Sequence, residues 1–67
     1  MNTLLTALIK KLEGEIAVAE ANVMVYLNQA VGIGEHPDIL AAIQEQLDII
    51  AHQEERISVL LKHFPKD

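Results

Sequence analysis

The segment Ala30-Val31-Gly32-Ile33-Gly34-Glu35-His36-Pro37 does most to limit what this chain can become. It gathers two of the three glycines and the first of two prolines. In a helix interior Gly costs ~1 kcal/mol and Pro ~3 kcal/mol relative to Ala, so a helix arriving from the N-terminal side stops here. Gly32 suits the residue just past a helix end, with Ile33 folding back as the apolar contact of a Schellman-type end. Pro37 followed by Asp38 suits a new helix start. Glu35 and Asp38 put negative charge where a helix N-terminus favours it. At the far end Lys62, His63 and Lys66 supply the opposite sign, and Pro65 forbids continuation.

Both flanks of this break have helical periodicity. The expected elements are a helix over about 3–29, a loop over about 30–36 and a helix over about 37–64, all in one domain spanning 1–67. The apolar seam of the first helix reads Leu5, Ile9, Leu12, Ile16, Ala19, Val23, Tyr26. That of the second reads Leu40, Ile43, Leu47, Ile50, Glu54, Ile57, Leu61, Phe64. Paired antiparallel from Tyr26–Leu40 to Leu5–Leu61, the two residue numbers add to 66 in every layer. Two unrelated amphipathic segments would not keep step in this way, so the pattern predicts an all-α, two-helix antiparallel hairpin with a short connection. Glu54 is the exception in its row, opposite Leu12. It reads as a seam-edge carboxylate reaching water or Lys10 and Lys11, or as a device that sets register or oligomer state.

One hairpin seam is too little for a chain of this kind. Apolar residues make up 51% of it, almost all aliphatic, with one Tyr, one Phe and no Trp. A chain of 67 residues lies in the size range where ordering costs about as much as burial returns, unless disulfides, a metal or oligomerisation intervene. Cysteine is absent, which removes disulfides and thiolate metal sites.

The flanks of the seam point to self-association. One side carries Thr6, Glu13, Glu20, Gln44 and Ser58 and reads as solvated. The other carries Leu4, Leu8, Val18, Val25, Ile39, Ala42, Ile49 and Leu60, interleaved with Glu15, Asn22, Gln46 and Gln53. An apolar stripe spotted with amides suits the inside of a helical oligomer, where amides bond across the interface. The expected interface is therefore Leu4, Leu8, Val18, Asn22, Val25, Ile39, Ala42, Gln46, Ile49, Gln53 and Leu60. The expected product is a coiled-coil-like four-helix or larger bundle, with the chain itself as partner (homodimer or higher). Gly14 lies on the first helix either as a tolerated glycine or as a point of close approach between subunits. The alternative is a regulatory module that binds another protein through the same stripe.

Other function classes find little support. A net charge of −5 disfavours nucleic acid and anionic membranes. The N-terminal residues lack a secretory pattern, and the most apolar stretch, Ile16 to Val31, is interrupted by Glu20, Asn22, Asn28 and Gln29. A soluble, cytoplasmic protein is expected. His36, His52 and His63 are never three or four apart. The nearest acid and histidine stripe is Asp48, His52 and Glu55. No nucleophile elbow, phosphate loop or acid–base pair is present, so no enzyme activity, cofactor or metal is expected.

Two resemblances add to this reading. His36-Pro37-Asp38 resembles the signature tripeptide of J-domain co-chaperones, which lies in a loop between antiparallel helices. That family has a basic helix before the tripeptide, where this chain has Glu13, Glu15 and Glu20, and it usually has lysine where this chain has Ile39. The same three residues also make an ordinary helix start. The run from Ala21 to Ile39, ANVMVYLNQAVGIGEHPDI, resembles short uncharacterised helical-hairpin proteins encoded by tailed phages of marine bacteria. That resemblance extends from about Leu12 to Phe64 and implies no activity or ligand. It implies a small structural or accessory protein of the virion or the host cytoplasm.

Overall fold

The structure is a computed structural model and describes residues 2–30 and 36–65. The end motif expected at Gly32 and Ile33, and the charges of Glu35 and Lys66, lie outside the described residues. The chain is an all-α hairpin of α1 (Thr3–Ala30) and α2 (His36–His63). It is 51 Å long and 15 × 11 Å across. The helix bounds differ by about one residue from those expected, and His36-Pro37-Asp38 forms the opening of α2, the helix start its residues suggested.

Each start has a local cause. The Leu5 backbone N–H donates to Asn2 Oδ1 at 2.9 Å, so Asn2 caps α1 by accepting from its third residue. In α2, Asp38 lies in the first turn and Lys62 and His63 in the last, each on the side its charge favours. Phe64 closes the final turn with its N–H on the Leu60 carbonyl at 2.9 Å.

The helices run antiparallel in a register set by two cross-helix hydrogen bonds. Asn22 Nδ2 donates to Gln46 Oε1 at 3.1 Å. Gln53 Nε2 donates to Glu15 Oε1 at 2.7 Å. The residue numbers of each pair add to two more than those of the expected seam layers. The antiparallel direction is as expected, but the α2 members of four of the seven expected layers, Leu40, Leu47, Glu54 and Leu61, are exposed.

The rotation of α2 about its own axis differs from expectation. On α1 the expected seam is inside: Leu12 and Ala19 are buried, and Leu5, Ile9, Ile16, Val23 and Tyr26 are half-buried. On α2 only the isoleucines Ile43, Ile50 and Ile57 keep their places. Leu40, Leu47, Glu54, Leu61 and Phe64 are exposed, with Leu40 at 65%. Their places are taken by Ile39, Ala42, Gln46, Gln53 and Leu60, which were expected to point outward. The physical reason is the charge in the leucine row. Burying that row would bury Glu54, and a carboxylate taken out of water without a partner is costly. The adjacent row has no charge, and its two amides find partners on α1.

Candidate functional site

A shallow groove of about 710 Å³ runs along one side of the helix pair. Val18, Ala19 and Ile49 supply apolar wall, Gly14 leaves a gap, and Asn22, Gln46 and Gln53 supply a polar floor. A second depression of about 540 Å³ continues it toward Leu8, Val59 and Leu60. The two share Lys11, Glu15 and Gln53.

Those shared residues form a cross-bar. Gln53, only 9% exposed, is the one buried polar side chain among the described residues. Its amide N–H donates to Glu15, and its carbonyl accepts from Arg56 Nη1 at 2.8 Å. Glu15 also accepts from Lys11 Nζ at 3.3 Å. Lys11, Glu15, Gln53 and Arg56 thus form one connected row of hydrogen bonds, and no buried side-chain polar atom among the described residues lacks a partner. Lys11 was expected to be within reach of Glu54. It pairs instead with Glu15, one turn along its own helix, where the distance needs no crossing between helices.

The eleven residues expected at an interface divide in two. Leu4, Leu8, Val18, Val25 and Ile49 are exposed, as an outward face requires. Asn22, Ile39, Ala42, Gln46 and Leu60 are half-buried and Gln53 is buried, all turned toward the partner helix of the same chain. The amides therefore bond across the hairpin, where the sequence pattern suggested bonds across an oligomer interface. Pattern alone could not separate the two, because a position beside a seam serves either purpose.

Two features escaped the sequence reading. One is the cross-bar itself, visible in retrospect as Glu15 and Gln53 at matching flank positions. The other is the exposed leucine row of α2, which the heptad spacing assigned to the core. Gly14 has no atom within 4 Å of where a Cβ would stand, so the hairpin itself makes no close approach there.

Among the described residues no three His, Asp or Glu side chains converge to hold a metal ion. Asp48, His52 and Glu55 lie exposed on α2. No helix among the described residues is long and apolar enough to cross a membrane. The groove joins apolar walls to a floor of amides that bond across the hairpin. No protein-family model, curated protein or solved structure matches the chain.

Proposed function

We propose that this chain is a non-enzymatic structural or accessory protein that works as a homo-oligomer, with hairpins joined into a four-helix or larger bundle. The carrying observation is the amount of surface left over. The accessible surface is 4982 Å² for a mass of 7.4 kDa. A compact monomer of that mass exposes about 4,200 Å² by the usual scaling. The excess, about 800 Å², is what one partner contributes to a stable interface of ordinary size. Much of it is apolar: among the described residues twelve large hydrophobic side chains are exposed, while Leu12 and Ala19 are the buried apolar ones.

A core of two residues cannot hold a folded chain by itself, so assembly supplies the rest of the burial. The resemblance of the Ala21–Ile39 run to phage-encoded hairpin proteins supports a setting in the virion or the host cytoplasm. Sedimentation equilibrium at micromolar chain concentration tests the reading. A dimer or larger species is expected, and a well-folded monomer refutes it.

A further inference from the structure

We infer that the partner is a second copy of this chain, docked groove to groove and antiparallel, so that the loop end of one hairpin lies along the terminal end of the other. This inference rests on the self-association proposed above and adds the surface and the direction.

The direction follows from where the charge lies. From Leu12 to Glu55 the chain contains no Lys or Arg. All five bases lie at 10–11 and 56–66 in the sequence, and the four among the described residues, Lys10, Lys11, Arg56 and Lys62, belong to the half of the hairpin away from the connection. The loop half, residues 16–53, carries Glu20, Glu35, Asp38, Glu45 and Asp48 with no base to balance them. In the other half five acids and five bases cancel, so the whole net charge of −5 belongs to the loop half. Two copies side by side in the same direction would set these acidic halves against each other. Reversing one copy sets each acidic half against a half that contains bases. The Debye length at physiological salt is about 8 Å, far shorter than the 51 Å hairpin, so each half feels only what lies beside it.

The surface follows from the same reasoning. Among the described residues the groove and the leucine row of Leu40, Leu47 and Leu61 are two exposed apolar strips. The row includes Glu54, and the flank of α1 on that side carries Glu13 and Glu20. Self-docking there would confront acids with acids. The groove and its continuation hold Lys11 and Arg56 beside Glu15 and Glu55, so that surface carries acids and bases together. Val18, 62% exposed, stands on its wall.

The chain lacks cysteine, so single labelling sites can be introduced cleanly. Spin labels at Asn28→Cys, near the loop end of α1, and at Ala17→Cys, near its middle, give pulsed dipolar distances between copies. With a rise of 1.5 Å per residue, antiparallel copies put two Asn28 labels roughly 40 Å apart and two Ala17 labels roughly 20 Å apart. Equal short distances at both sites would mean parallel copies and overturn the inference. A trimer or larger species overturns the pairwise arrangement, whereas a monomer by sedimentation overturns the underlying reading instead. To identify the surface, Val18→Lys is expected to weaken the dimer at least tenfold and Leu47→Lys to leave it within twofold. The reverse pattern would assign the contact to the leucine row and overturn the groove.

Discussion

The cross-bar between the helices makes a quantitative claim. Gln53 is almost wholly buried and donates at 2.7 Å to a carboxylate oxygen of Glu15. A hydrogen bond to a charged group contributes about 1.5–3 kcal/mol. Glu15 keeps Lys11 and partial access to water, with 39% of its side chain exposed, which puts the coupling near the lower end, about 1–2 kcal/mol. Gln53→Ala also removes the acceptor of Arg56 and leaves a gap beside Ala19, for a total loss of about 2–4 kcal/mol. The core of so small a domain rarely supplies more than about 3–5 kcal/mol, so this variant should be largely unfolded at low concentration. A double-mutant cycle with Glu15→Ala isolates the pair, read by urea unfolding with far-UV circular dichroism. Chain concentration must be held fixed, because assembly shifts apparent stability by mass action. A coupling below about 0.5 kcal/mol, within the usual additivity of unconnected sites, would refute the cross-bar as a source of stability.

Three further outcomes are expected. Leu12→Ala removes one of the two buried apolar side chains and should cost about 2–5 kcal/mol, seen as near-complete loss of cooperative thermal unfolding; a melting temperature lowered by less than about 3 °C would contradict its place in the core. Glu54→Leu removes the charge that keeps the leucine row in water, so α2 should rotate and the coupling between residues 15 and 53, measured by the same cycle, should fall below about 0.5 kcal/mol; an unchanged coupling would show that Glu54 is not why α2 is turned. Gly14→Ala fills open space on a helix and should stabilise the chain by about 1 kcal/mol, or about 4–8 °C, on thermal unfolding; destabilisation would mean that a neighbouring backbone sits on Gly14.

The antiparallel hairpin was legible because it depends on spacing. A seven-residue repeat on both sides of a glycine and proline break fixes two antiparallel helices, whereas the Asn22–Gln46 and Glu15–Gln53 bonds put Gln46 and Gln53 where Leu47 and Glu54 were expected. The rotation of α2 was not legible from spacing, since rows on either side of its isoleucines are both sufficiently apolar to pack. What separates them is the cost of burying Glu54 against the gain of pairing Gln46 and Gln53, a balance of a few kcal/mol that no periodicity expresses. The outward surface was half legible for the same reason. Its apolar α1 members, Leu4, Leu8, Val18 and Val25, are exposed, whereas Asn22 and most of its α2 members face the other helix of the hairpin.

The central claim is that the hairpin is held together by its neighbours. Thermal unfolding followed by circular dichroism over a hundredfold range of chain concentration tests it most directly. A melting temperature that climbs with concentration is expected, because copies that bind only the folded state stabilise it by mass action. A melting temperature independent of concentration, with a full helical signal at the lowest dilution, would contradict it.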